Sequence, residues 1–160
     1  RLVGDEPELV RGWRFEMYGQ GSLAREVAER IAARGLSSFV TVTKAIDMAP
    51  VFARARLFVS TQAFENFTSL AMLEAMSAGN AVIAEDVGQT REFVRDGENG
   101  HLVVDASPEA FAAAIAAYLR HPDRHDAMAD ASRALVTRVH TIEHFAEDVL
   151  AFWGDAARRT

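Results

Sequence analysis

The stretch "AFENFTSLAMLEAMSAGNAVIA", residues 63–84, joins a helical pattern to an apolar strand pattern within 22 residues. It predicts a helix over about 68–78, with Thr68 or Ser69 as N-cap, followed by a strand over 81–85. Between Ser69 and Ala78 every residue is apolar or small except Glu74. A helix that leads straight into a short buried strand is the repeating unit of a parallel sheet, so this stretch indicates the α/β class.

The same alternation extends in both directions along the chain. Strand patterns occur at 13–19, 39–43, 56–60, 81–85 and 101–104, and helical patterns at about 22–34, 49–55, 68–78, 90–95, 108–120, 122–137 and 142–156. This order predicts a three-layer, doubly wound (Rossmann-like) mostly parallel sheet with helices on both faces. The three consecutive C-terminal helices are expected to pack on the sheet. Turn signals agree with these boundaries: Gly35 ends the first helix, Ser107 caps another, and Gly97 and Asn99–Gly100 make the turn into the last strand.

Composition narrows the class of protein. The 160 residues, 49% of them apolar, fit a single globular domain over 1–160. A net charge of -6 with scattered arginines argues against a nucleic-acid partner. The chain has no cysteine, which excludes disulfides and thiolate catalysis. Its most apolar stretch, residues 110–119, is too short to cross a bilayer. The beginning of the chain, "RLVGDEPELVRGW", is typical of a helix tail and loop from a preceding unit.

Glu74 requires a partner if it is buried, because an unpaired buried charge is very costly. Its neighbours on a solvent-facing stripe would be polar, and only Ser77 is, so we expect Glu74 to face a cleft. Two adjacent sugar hydroxyls are one suitable partner, and an internal salt bridge to Arg91 or Arg95 is the alternative. Glu65 lies just before the positive end of the same helix, where free N–H groups can bind phosphate or sugar oxygens. Its alternative is an ordinary loop carboxylate.

Two further motifs carry less information. "YGQGS", residues 18–22, is better explained as a tight strand-to-helix turn capped by Ser22 than as a phosphate cradle. "HTIEH", residues 140–144, matches a zinc-protease string, but Thr141 is a natural N-cap and no third ligand follows. His121 and His125 share helical spacing and are expected at the surface.

Three segments together resemble the donor-binding domain of the retaining family 4 glycosyltransferases of the GT-B fold, the "glycosyltransferase group 1" domain. They are "RARLFVSTQAFENF", "LEAMSAGNAVIAEDVG" and "TREFVRDGENGHLV". The resemblance covers essentially the whole chain. It implies an enzyme that transfers a hexosyl group, with retention, from a nucleoside-diphosphate sugar to a hydroxyl acceptor, as in cell-envelope polysaccharide biosynthesis, with no metal or other cofactor. The alternatives are a non-catalytic nucleotide- or sugar-binding module of the same fold and a GT-B-type epimerase domain.

The resemblance also implies residue roles. Glu74 corresponds to the ribose-binding glutamate and Glu65 to the catalytic-side glutamate against the donor sugar. The family's helix-entry residues, which meet the diphosphate and sugar, correspond to Phe67, Thr68, Ser69 and Leu70. The family's loop that lines the base corresponds to Lys44, Ala45 and Ile46. The two glutamates stand one residue further apart than in the family, so Asn66 is the alternative sugar contact.

Some expected parts are missing. The first βα unit of the domain, with the Arg and Lys that neutralise the diphosphate, should lie upstream of residue 1, as should an N-terminal acceptor domain. Asn80 stands where the family usually has Pro. The chain alone is therefore expected to bind nucleotide weakly and to transfer nothing. We expect a cytoplasmic location, with membrane association only through the missing half.

Overall fold

The computed structural model describes residues 2–64 and 69–158. Within these ranges the chain forms five strands: β1 Phe15–Tyr18, β2 Val40–Thr43, β3 Leu57–Ser60, β4 Ala81–Glu85 and β5 Gly100–Val103. Seven α-helices accompany them: α1 Leu2–Asp5, α2 Ala24–Ala33, α3 Ala49–Arg54, α4 Leu70–Ser77, α5 Pro108–Arg120, α6 His125–Val139 and α7 Ile142–Arg158. Short 3₁₀ turns cover Thr90–Glu92 and Pro122–Arg124. All five predicted strands are therefore confirmed, and the helix predicted at 90–95 is a single 3₁₀ turn.

Every strand pair in the described chain is parallel, as the sequence predicts. The strands form two ladders, one of β1 and β2 and one in the order β3-β4-β5. Strand β4 is central in the second ladder, and its first four residues are buried. Its continuous apolar run follows from this position, because a central parallel strand is covered on both faces.

Helices cover both faces of the sheet. Val82 and Ala84 of β4 pack in one core with residues of α4 and α6, among them Met76 and Leu135. The alternate residues of β4 belong to a second core with α5 and α1, which includes Tyr118. Successive side chains of a strand point to opposite faces of the sheet, so alternate residues of β4 pack into two separate cores.

Helix α7 departs from the prediction that all three C-terminal helices pack on the sheet. None of its described residues is buried. Its large apolar side chains are mostly exposed, Trp153 at 65% and Phe152 at 70%. The apolar residues follow a helical period, which predicts an amphipathic helix correctly but does not specify what covers its apolar face.

Several local signals act as predicted and others do not. Gly35 follows α2 with φ +66°, and the Ser107 hydroxyl accepts a hydrogen bond from the amide of Ala110 at the start of α5. Helix α2 begins at Ala24 without a side-chain cap, so the predicted Ser22 cap is wrong. The predicted turn before the last strand is formed by residues 97–99, and Gly100 is already the first residue of β5.

His125 is a further correction. It is 7% exposed rather than a surface residue. The 3₁₀ turn that Pro122 begins ends just before it, so His125 starts α6 and its ring lies against the end of α5.

Candidate functional site

A cleft opens at the carboxyl ends of β3 and β4, where ligands bind in parallel α/β sheets. It is lined by Ser60, Gln62, Phe64, Ser69, Met72, Ala84, Glu85, Val87, Thr90 and Phe93. Its apolar base is formed by Met72 and Phe93, both at least 95% buried. Hydroxyl and amide side chains surround this base, so the cleft combines apolar contact with hydrogen-bonding groups.

The start of α4 forms one wall of this cleft. Ser69 is the residue before the helix, in extended conformation with ψ 96°, and its hydroxyl makes no capping hydrogen bond to the helix. The predicted N-cap position is confirmed for Ser69, but its hydroxyl does not cap. The first amide N–H groups of an α-helix have no partner within the helix and carry a partial positive charge. The cleft therefore lies beside a helix end that can accept anionic oxygen atoms.

Thr90 forms part of the opposite wall. Its hydroxyl donates to the carbonyl oxygen of Val87 at 2.6 Å. The loop between them is fixed by an ion pair between Asp86, which follows β4, and Arg91 in the 3₁₀ turn. Sequence reasoning missed this pair, because two charged residues five apart around a turn give no periodic signal.

Glu74 does not line this cleft, contrary to prediction. The buried face of α4 consists of Met72, Ala75 and Met76, and Glu74 lies on the opposite side of the helix. Leu70, 70% exposed, shares that outward face. Apolar neighbours do not indicate burial here, because Leu70 and Ala71 are exposed together with Glu74.

The predicted salt bridge of Glu74 is also wrong. Arg91 pairs with Asp86, and Arg95 pairs with Glu98 at 3.4 Å. Within residues 2–64 and 69–158 the Glu74 carboxylate has no ion pair or hydrogen bond. The carboxylate is exposed to solvent, so it keeps its hydration and can accept hydrogen bonds from a ligand.

The predicted base-binding loop lies on the other ladder. Lys44, Ala45 and Ile46 follow β2 directly, so they lie at the carboxyl edge of the sheet, as the cleft does. Lys44 is exposed and Ile46 is fully exposed. None of the three lines the cleft beside α4, so the structure does not bring them into contact with Ser69.

The remaining predicted site residues are Glu65, Asn66, Phe67 and Thr68. They lie outside the described residues, in the connection between β3 and α4. Their roles therefore stay predictions.

Two polar groups near the carboxyl edge have shifted pKa values. The Tyr18 hydroxyl donates to the Glu16 carboxylate at 2.7 Å, which lowers the pKa of Glu16 and raises the pKa of Tyr18. Arg54 of α3 donates to both of them, at 2.7 Å and 2.5 Å. The group joins the end of β1 to the helix that precedes β3.

His140 lies behind the cleft. Its ring lies 5.1 Å from the ring of Phe93, and partial burial lowers its pKa. The nearby His144 of the "HTIEH" motif is hydrogen-bonded to Thr141, which caps α7 as predicted.

Among the described residues no three acidic or histidine side chains are grouped to hold a metal ion. The described helices are all too short or too polar to span a membrane.

Comparison with known proteins identifies the family. The model of the family described as "Glycosyl transferases group 1" matches residues 2–121. This chain belongs to the group 1 glycosyltransferases. The predicted family and fold are thereby confirmed.

Curated relatives of this group 1 chain agree with the assignment. The lipopolysaccharide core biosynthesis mannosyltransferase LpsB of Rhizobium meliloti is 32% identical over 136 residues, which are 83% of this chain and 38% of the relative. The D-inositol 3-phosphate glycosyltransferase of Streptomyces coelicolor is 32% identical over 118 residues, 71% of this chain and 26% of the relative. The group 1 chain thus spans well under half the length of these relatives.

Solved structures show the same fold. Sucrose-phosphate synthase from Thermosynechococcus elongatus matches with a TM-score of 0.79 and 25% identity, over 91% of this chain and 39% of that one. Anabaena Alr3699/HepE, solved in complex with UDP, matches with a TM-score of 0.81 and 20% identity, over 89% of this chain and 41% of that one.

Proposed function

We propose that this chain binds the nucleoside diphosphate of a nucleotide-sugar donor at the carboxyl edge of its sheet. In the longer enzyme this binding serves the transfer of a hexosyl group, with retention, to a hydroxyl acceptor. The observation that carries the proposal is the cleft itself, in which the carboxyl ends of β3 and β4 meet the start of α4. Membership in the glycosyltransferase family supports a nucleotide-sugar donor as the ligand of this cleft.

The diphosphate is the strongest charge of such a donor and belongs at the start of α4. Helix amides stabilise phosphate oxygens there without a metal ion. Negative charge that develops on the leaving diphosphate is stabilised by the same donors. In this proposal no metal is required, and removal of divalent cations with EDTA leaves nucleotide binding unchanged.

Glu74 is assigned the ribose hydroxyls. Its exposed carboxylate has no partner in the described chain and lies in the second turn of α4. Because Glu74 lies outside the cleft, the donor in this proposal spans the start of α4, with its ribose at Glu74 and its diphosphate at the helix amides. The sugar is assigned to Glu65 or Asn66. The base then extends toward Lys44, Ala45 and Ile46.

The relative LpsB is named as a mannosyltransferase of lipopolysaccharide core biosynthesis. By extension we assign the longer protein to cell-envelope polysaccharide biosynthesis in the cytoplasm, where nucleotide sugars are donors. An N-terminal domain supplies the acceptor site in this proposal, and any contact with the membrane is made through that domain.

Calorimetric titration of this chain with UDP, GDP and ADP tests the proposal. One nucleotide should bind, and Glu74→Gln should weaken it about tenfold, the loss of one or two hydrogen bonds to a charged group. Glu147→Gln in α7 is the matched control, because Glu147 is also an exposed helical glutamate without an ion pair in the described chain. No binding by the unchanged chain, or equal binding by Glu74→Gln, refutes the assignment.

A further inference from the structure

Lys44 is the only lysine of a chain whose net charge is -6, and it directly follows β2 at the carboxyl edge of the sheet. Its side chain is exposed, and none of the residues that the structure describes forms an ion pair or hydrogen bond with its ammonium group. Arg91, a second cation near this edge, is already paired with Asp86. An ammonium group has three N–H donors and no acceptor, so Lys44 is free to donate to a ligand.

The space beside Lys44 is open. The end of β1 adjoins the end of β2, because the amide of Gly19 donates to the carbonyl oxygen of Thr43 at 3.2 Å. A Cβ placed at Gly19 or at Gly21 would meet no heavy atom within 4 Å. The loop after β1 therefore leaves room for a planar ring next to the end of β2.

The other side chains of the loop after β2 limit what such a ring can be. Oδ1 of Asp47 accepts a hydrogen bond from the amide of Ala49 at 2.9 Å, so the one carboxylate of this loop is bound to the start of α3. Ile46 is fully exposed and presents an apolar surface. The loop thus offers a charged donor and an apolar contact to a ligand.

We propose that Lys44 selects the nucleobase of the donor, and that the selected base carries an exocyclic carbonyl oxygen, as uracil and guanine do. The ammonium group donates to O4 of uracil or to O6 of guanine, beside which N7 is a second acceptor. Cytosine and adenine carry an amine at the same position, and this amine is a donor that cannot accept from the ammonium group. Ile46 contacts the face of the ring. The inference rests on the proposed function, in which the base extends toward this loop.

Calorimetric titration of this chain with two matched pairs of nucleotides tests the selection. UDP is paired with CDP, and inosine diphosphate is paired with ADP. Within each pair a carbonyl replaces the amine of the base while the ribose and the diphosphate stay the same. The carbonyl member of at least one pair should bind about tenfold more tightly, which is the effect of one hydrogen bond to a charged group.

Variants of Lys44 separate base selection from simple attraction of an anion. Lys44→Met keeps an apolar stem without the donor, so the two members of the pair should bind equally. Lys44→Arg keeps a charged donor and should keep the preference, whereas Lys44→Glu offers an acceptor to the amine and should reverse it. Arg34→Met is the matched control, because it also removes one exposed positive charge, at the end of α2, and should leave the preference unchanged.

The outcomes distinguish this inference from the proposed function. Equal affinity within both pairs, or tighter binding of the amine members, overturns the selection by Lys44. If Lys44→Met weakens both members of a pair by the same factor, the ammonium group acts on the diphosphate and the inference is wrong. In each of these cases a nucleotide still binds, so the proposed function stands. If none of the four nucleotides binds the unchanged chain, the proposed function fails and the inference fails with it.

Discussion

The ring of His125 stacks on the ring of Tyr118, with centroids 3.9 Å apart and planes 9° from parallel. His125 Nε2 donates to the Tyr118 carbonyl oxygen at 2.8 Å, and the Tyr118 hydroxyl donates to the Arg56 carbonyl at 3.1 Å. Trp13 contacts both rings edge-on, at 6.1 Å and 5.9 Å. This aromatic cluster fixes the corner between α5 and α6 against the residue that precedes β3.

The two tryptophans of the chain should differ sharply in their contribution to stability. Trp13→Ala removes the edge of the aromatic cluster and should lower the free energy of unfolding by about 3 kcal/mol. Trp153→Ala in α7 removes a side chain that is 65% exposed, so it should change the free energy of unfolding by less than about 0.5 kcal/mol. Urea unfolding followed by circular dichroism measures both. Equal losses would show that α7 packs on the domain after all.

Tyr118 predicts a loss of stability at alkaline pH. Burial raises its pKa from 10.0 to about 12. Between these values the unfolded chain releases the phenolic proton while the folded chain keeps it, so stability falls as pH rises from about 10 to about 12. Tyr118→Phe should remove the larger part of this fall, and Tyr18→Phe the smaller part, because the hydrogen bond to Glu16 raises the pKa of Tyr18 as well. Denaturant unfolding at a series of pH values between about 10 and 12 measures this fall. If the free energy of unfolding of Tyr118→Phe falls as steeply with pH as that of the unchanged chain, the role given to Tyr118 is wrong.

The periodic parts of the fold could be predicted from sequence. Strand β4 has a continuous apolar run because both of its faces are covered, and α5 has a Ser-Pro start that sets its first turn. These signals are local, since burial and capping act on neighbouring residues. The family resemblance rested on motifs of the same kind.

What depends on distant contacts could not be predicted. His125 is buried because Tyr118 stacks on its ring and because Trp13, far away in the sequence, packs against its edge. Whether the apolar face of α7 is covered depends on residues outside its own pattern. Glu74 shows the same limit, because the helical pattern gives its turn but not the direction in which that side of α4 faces.

Asn80 is a polar residue that the sequence did not single out for stability. It is fully buried, and its Nδ2 donates to the carbonyl oxygens of Phe52 at 2.9 Å and Ala75 at 3.0 Å, which joins the ends of α3 and α4. Asn80→Ala should cost about 2 kcal/mol of stability. Asn80→Asp should cost more at neutral pH, because a carboxylate cannot donate to either carbonyl.

Thermal unfolding across pH tests the Asn80 bonds. The loss in Asn80→Asp should shrink in acid, where a protonated carboxyl can donate one hydrogen bond. Ser77→Ala is the control at the same end of α4, and its exposed hydroxyl should matter by less than about 0.5 kcal/mol. A loss in Asn80→Asp no larger than in Asn80→Ala would contradict this account.

Gly100 should be the least replaceable glycine of the sheet. It lies opposite Val82 in the β4–β5 ladder, and a Cβ at this position would come 1.7 Å from the Val82 carbonyl oxygen. No side-chain rotation relieves a clash with backbone, so Gly100→Ala must push β5 away from β4, at a cost of about 3 kcal/mol or more. Gly21→Ala is the control, because a Cβ there meets nothing within 4 Å. Denaturant unfolding measures both, and near-equal stabilities would mean that β5 does not approach β4 as closely as described.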